Sequence, residues 1–302
     1  MSTAAPTALP GEISLGRRLG GFIALTKPRI IELLLVTTLP TMVVAARGLP
    51  PWQLVLTTLA GGTLAAGGAN AINMVVDRDI DAVMHRTRKR PLVTGVVSAP
   101  EALAFAIGLE VAAFGLLWAE VNLLSALLAV SATLFYVFVY TLWLKRTSRQ
   151  NIVIGGAAGA VPVLVGWAAV RDSVGWAPVV LFALMFVWTP PHFWALAIRY
   201  RDDYKSVDVP MMPVVTSFRK TAAQIFAYTL LVAVVSLVFG WTARMGALYW
   251  ASAVILGAVF CVLAYRLWRS PNEGLAMKLF HWSITYVTLL FAAMAVDQLV
   301  LH

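Results

Sequence analysis

The sequence has 302 residues, 60% of them hydrophobic and only 12% charged, with a formal net charge of +9 at pH 7. That is about half the charged share of an ordinary soluble protein, too little to cover a water-exposed surface. Its apolar stretches are too long and too unbroken for the alternating strands of a membrane barrel, which leaves an all-α integral membrane protein whose helices satisfy their own backbone groups in lipid.

In chain order, residues 1–23 read as a flexible or interfacial tail. The stretch MSTAAPTALPGEISLGRRLGG has no apolar core of signal-peptide length, and from Ile13 to Lys27 apolar and basic residues alternate loosely, as in a surface helix. Residues 24–302 read as a single transmembrane domain with nine spans: 30–46, 52–75, 101–119, 122–144, 151–170, 176–198, 221–240, 246–266 and 279–300. Each suits a hydrocarbon core of about 30 Å crossed at 1.5 Å per residue. GGTLAAGGANA and GGAAGAVPVLVG lie within them, where small residues let membrane helices approach closely. Cys261 is the only cysteine, so no intrachain disulfide, CxxC metal pair or CxxCH haem attachment exists.

Nine spans divide the loops into two sets. One set carries 20 of the 23 Lys and Arg residues, and the other only Arg47, Arg171 and Arg244. Basic residues mark cytoplasmic loops, so the N-terminus is expected inside and the C-terminus outside. The loops after the second and sixth spans, both on the basic side, are the longest, and function is expected there.

The first of them begins NMVVDRDIDAVMHRTRKRPL. Asn73, Asp77 and Asp81 are spaced i, i+4, i+8 and share one helical face; Asp79 points elsewhere. The row falls at the hydrocarbon edge and at the negative end of a helix, where carboxylates need a counter-charge. Oxygen-rich sites of this kind suit Mg²⁺, usually held by one or two carboxylates plus substrate phosphates. Arg86, Arg88, Lys89 and Arg90 follow and can grip phosphate oxygens. Taken alone, such a loop is more often a set of solvated topogenic charges. The pattern recurs four spans later in HFWALAIRYRDDYKSVDVP, where Asp202, Asp203 and Asp208 stand beside Arg199, Arg201 and Lys205. Two loosely repeated four-helix halves plus a ninth helix would face these loops toward one another around a metal–diphosphate unit.

These stretches, with LTKPRIIELLLVTT, LKRTSRQNIVIGGAAGAVPVLVGW and WTPPHFWALAIRYRDDYKSVDVPMMPVV, resemble the protohaem IX farnesyltransferases, a branch of the UbiA-type intramembrane prenyltransferases. The resemblance implies a nine-helix bundle in the bacterial inner membrane, with its active site on the cytoplasmic side. It also implies Mg²⁺-dependent transfer of farnesyl from farnesyl diphosphate to a vinyl group of haem b, with haem b a substrate rather than a cofactor. The product, haem O, would pass to the next enzyme of haem A synthesis or to a terminal oxidase. No nucleic acid is expected as a partner. By the same resemblance Asn73, Asp77, Asp81, Asp202 and Asp203 hold metal, with Asp77, Asp81 and Asp203 catalytic. Arg86, Lys89, Arg90, Lys145, Arg146 and Arg201 hold diphosphate. His192, Trp194, Tyr200, Tyr204 and Asn151 line the acceptor or prenyl pocket. One departure stands out: many relatives carry D-x₃-D in the second loop, where this chain has Tyr200 and Tyr204 at that spacing, which argues against a symmetric second metal site.

His192 precedes Asp203 by 11 positions, and an unbroken helix would set it about 16 Å deeper on the same face. It could orient a haem through its iron or propionates, or simply bond a neighbouring helix. Two other readings stay open at this stage: a prenyltransferase for an aromatic quinone precursor, and a transporter of an anionic phosphorylated solute. The transporter reading suffers because the acids cluster at one membrane edge rather than at the midplane.

Overall fold

A computed structural model of the chain describes residues 14–301, and every regular element among them is helical. Residues 1–13 of the expected tail lie outside the described residues. The remainder of that tail forms α1 (Leu15–Thr26). Leu15, Leu19 and Ile23 recur every four residues and are exposed, whereas Gly21 and Leu25 are buried. An exposed apolar stripe beside Arg17 and Arg18 is the pattern of a helix lying in a membrane interface.

The spans follow as α2 (Pro28–Ala46), α3 (Trp52–Val76), α4 (Ala99–Glu120), α5 (Leu123–Thr147), α6 (Asn151–Arg171), α7 (Trp176–Arg199), α8 (Phe218–Thr242), α9 (Ala247–Arg269) and α10 (Glu273–Leu301). Among the described residues, α3 to α10 are each long and apolar enough to cross a membrane; α2 lies on the first expected span, with Leu35–Ala46 as its shorter apolar part. The largest boundary differences fall where helices extend beyond their apolar part. Asn272 Oδ1 accepts the N–H of Leu275 at 2.8 Å and starts α10 six residues before the expected 279. Ser217 Oγ accepts the N–H of Lys220 at 3.3 Å and starts α8 at Phe218. Hydropathy registers the lipid-crossing part of a helix and not its polar first turns.

Consecutive spans pack on one another and α10 closes back on α2, so the bundle is a ring, with α2–α6 and α7–α10 contacts across it. The largest apolar core joins α6 to α10, and two smaller ones lie around α3, α4 and α5. Small residues set the close approaches: a Cβ on Gly61 would lie 2.5 Å from Leu117 Cγ, and one on Gly155 would lie 2.3 Å from the Tyr140 ring. Glu110, costly inside a span unless it faces protein, accepts a bond from Thr133 Oγ1 at 3.1 Å between α4 and α5.

Three local irregularities position the charged loops. Residues Phe135–Leu144 of α5 are π-helical, with Thr141 Oγ1 donating to Tyr136 O five residues earlier at 2.8 Å; such widened turns favour functional sites. α3 ends at Val76, and Asp77 (φ −87, ψ 5) leads into a short helix, Arg78–Val83. The i→i−4 bonds nevertheless continue through the break, Asp77 N–H to Asn73 O and Asp81 N–H to Asp77 O, both 2.9 Å, so the expected row keeps its face. α7 likewise stops at Arg199, and Tyr200 (φ −101, ψ 23) separates it from Arg201–Lys205. The unbroken helix expected from His192 to Asp203 is therefore interrupted, because Tyr200 leaves the helical ψ range and bends the register.

Candidate active site

Burial separates the aspartates of the first loop as the spacing required. Asn73, Asp77 and Asp81 are 3%, 0% and 2% exposed, whereas the Asp79 side chain is 62% exposed. Asp79 is held by a two-pronged contact with Arg146 at 2.6 and 2.7 Å, and that hydrogen bond keeps its carboxyl down at about 2. Arg146 also donates to Val76 O at 3.2 Å, tying α5 to the end of α3.

The buried row is linked internally and ringed by cations. Asn73 Nδ2 donates to Asp77 Oδ2 at 2.7 Å and to Thr141 Oγ1 at 3.2 Å. Lys145 Nζ pairs with Asp77 Oδ2, and Arg90 pairs with Asp81 Oδ2. The π-helical stretch of α5 thus brings both Thr141 and Lys145 onto this row. Lys27 Nζ donates to Asn73 Oδ1 at 2.8 Å, so a neutral amide rather than a carboxylate receives it. Burial, then repulsion from Arg90 and Lys145, lowers Lys27 to about 7. Its backbone sits in the left-handed region (φ 52) directly before Pro28, the turn that aims α1 back across the row. In the sequence Lys27 carries one signal of this role, a Lys-Pro pair at the mouth of the first span.

The second loop plays a different part. Asp203 accepts the backbone N–H groups of His85 (Oδ1, 3.3 Å) and Arg86 (Oδ2, 3.0 Å). Arg86 lies over the Tyr200 ring, 5.2 Å from its centroid, and reaches Tyr204 Oη at 3.5 Å. Burial pushes the Tyr204 hydroxyl up, so it remains a donor. Asp202, Arg201 and Lys89 are exposed beside this contact.

Other expected residues are dispersed. Trp194 is fully buried in the α7–α8 contact, edge-on to Tyr228 at 5.5 Å. Asn151, also fully buried, donates to Lys145 O at 3.4 Å and thereby braces the lysine. His192, 7% exposed, lies deeper on α7 against α10. Residues not anticipated include Tyr136 and Tyr140, half-buried and stacked 5.4 Å apart on the π-helical stretch. A residue pattern for a π-turn is absent from hydropathy, so nothing pointed to that pair.

The donor set fits Mg²⁺ at the first loop. Asp77 Oδ1 is buried and accepts no hydrogen bond, with Arg146 Nη2 3.9 Å away, which leaves a hard oxygen ligand available. No three His, Cys, Asp or Glu side chains converge among the described residues, so a metal here would need diphosphate oxygens to complete its coordination. Both Asp203 oxygens, by contrast, are already engaged by backbone N–H groups.

Comparison with known proteins places this geometry. The model of the UbiA prenyltransferase family matches residues 34–289. A protein of Streptomyces avermitilis named protoheme IX farnesyltransferase is 52% identical over 293 residues, covering 95% of this chain and 96% of that protein. Among solved structures, a digeranylgeranylglyceryl phosphate synthase superposes with a TM-score of 0.76 at 18% identity, covering 93% of this chain and 98% of the other. A UbiA homologue from Archaeoglobus fulgidus bound to DMAPP and Mg²⁺ superposes at 0.64 and 16% identity, covering 91% and 99%. A ring of helices with a buried Asn-Asp-Asp row at one rim, matched over most of its length by that family, makes this chain a member of the UbiA prenyltransferase family.

Proposed function

We propose that the protein transfers the farnesyl group of farnesyl diphosphate to a vinyl group of haem b, with addition of water, giving haem O and diphosphate. The observation that carries this reading is the buried row Asn73–Asp77–Asp81 enclosed by Lys27, Arg90 and Lys145. Arg90 and Lys145 balance the two buried carboxylates, and Lys27, lowered to about 7, would be held in its charged form by a diphosphate. The choice of haem b over other acceptors rests on the relative from Streptomyces avermitilis and its name.

Mg²⁺, held by Asp77 and Asp81 with Asn73 beside them, would offset negative charge on the diphosphate as the allylic C–O bond breaks. Lys145, Arg90 and Lys27 would contact the same leaving group from α5, the first loop and the α1–α2 turn, and Arg86 would close over it from the side of Tyr200. Tyr136 and Tyr140, stacked on the same π-helical stretch that carries Thr141 and leads into Lys145, would offer π electrons to a delocalised farnesyl cation. The vinyl π electrons attack that cation, and water adds to the resulting carbocation and gives up one proton to the released diphosphate, leaving a hydroxyl. An apolar bundle delays water until the new carbon–carbon bond exists.

The chain is an integral membrane protein; we place it in the bacterial inner membrane with this rim, and the N-terminus, on the cytoplasmic side, from the bias of Lys and Arg toward these loops. One domain from residue 24 onward, with the product passed to a haem A-forming enzyme or an oxidase, completes the reading. Purified protein given farnesyl diphosphate, haem b and Mg²⁺ is expected to yield a farnesylated, hydroxylated haem by mass spectrometry. Farnesylation of an aromatic acid with haem b untouched would refute it.

A further inference from the structure

His192 is held more tightly than packing alone requires. Its imidazole is clamped on both faces, by Trp188 at 4.3 Å and 18° and by Phe280 at 4.7 Å and 27°, with Phe193 edge-on at 5.2 Å. Its Nδ1 lies 2.7 Å from Ser283 Oγ on α10. Ser283 has one hydroxyl proton and gives it to Phe280 O at 2.6 Å. The serine oxygen can then only accept, so Nδ1 carries the proton and Nε2 presents its lone pair. Among the described residues, the one side-chain hydrogen bond of His192 is made through Nδ1, which leaves Nε2 without one. Trp188 Nε1 donates to Ser283 O at 2.9 Å, so the same serine fixes the clamp as well as the tautomer.

A neutral imidazole whose Nδ1–H is bonded and whose Nε2 is bare is the arrangement that orients histidine toward a metal. None of its contacts is charged, so a propionate would find no counter-ion here, whereas iron requires only the lone pair. The residue lies seven positions before the end of α7, about 10 Å inward from the charged rim. That depth keeps the iron off the charged rim, and a vinyl group at the porphyrin edge extends from the iron toward it.

Resting on the haem reading above, we propose that His192 Nε2 is an axial ligand of the iron of haem b, and that Ser283 is the positioning residue that sets its tautomer. Axial ligation would fix the porphyrin plane and leave a vinyl edge free to face the allylic carbon. The test uses full-length protein in lipid nanodiscs titrated with haem b, reading absorption and the iron–imidazole stretch of the ferrous form by resonance Raman. Wild type is expected to show that band. His192→Ala is expected to lose it, weaken haem binding roughly tenfold or more, and regain the band with added imidazole. Ser283→Ala is expected to keep the ligand but shift the band, which a purely structural serine would not do. Should His192→Ala not elute as folded protein, His192→Met is expected to replace the imidazole spectrum with a thioether one. An unchanged band in either His192 variant overturns the ligand assignment and leaves the haem reading standing; no haem uptake by wild type overturns the haem reading itself.

Discussion

The two charged loops occupy corresponding places in the chain, each following a span at the same rim, yet they do different work. In the first, the carboxylates are buried and meet side-chain cations: Asp77 with Lys145, Asp81 with Arg90. In the second, Asp203 spends both oxygens on backbone N–H groups of the first loop, and Tyr200 and Tyr204 take up Arg86. On the reading proposed above, the first loop is the site and the second a clamp on it. The difference lies in what the oxygens meet: Asp77 Oδ1 is buried without a hydrogen bond, while each Asp203 oxygen already accepts a backbone N–H.

That division ranks the consequences of substitution. Asp77→Asn removes a charge at the centre of the buried row and is expected to lower turnover by at least roughly 10³-fold, comparable with the loss of a key electrostatic stabiliser, as measured by haem O formation. Asp203→Asn keeps one acceptor oxygen and loses charge-assisted bonds to His85 and Arg86; a fall of about 10- to 100-fold is expected, mainly as a raised KM for farnesyl diphosphate. Tyr200→Leu removes the ring beneath Arg86 and should cost about two- to fivefold, the scale of a partly exposed cation–π contact. Asp79→Asn, in an exposed ion pair with Arg146, should change turnover by less than about twofold. A large effect at Asp79 with a small one at Asp77 would reverse the assignment of the row.

Much of this was legible from residue types and spacing. The helical spans followed from hydropathy because lipid admits few alternatives, and the i, i+4, i+8 row survived a break in α3 because its backbone bonds continued through Asp77. Asp79 was separated from Asp77 and Asp81 by periodicity alone. What stayed hidden depends on distant or non-repeating contacts. Lys27 reaches Asn73 across 46 positions of sequence, and the π-helical turn that carries Thr141 and leads into Lys145, with Tyr140 packed on Gly155, has no signature in hydropathy. The contact of Asp203 with the backbone N–H groups of His85 and Arg86, more than 100 positions away, is equally beyond residue type and spacing. The bend at Tyr200, likewise, depends on a ψ angle that no residue pattern announces.

The most direct test of the division between site and clamp is calorimetric binding of a non-hydrolysable farnesyl diphosphate analogue, with and without Mg²⁺, to wild type, Asp77→Asn and Asp203→Asn. The account expects Mg²⁺ to tighten binding to wild type and to Asp203→Asn, though the latter starts weaker, and to have no effect on Asp77→Asn. Equal loss of the Mg²⁺ response in both variants would contradict it and make the two loops a symmetric pair of metal sites.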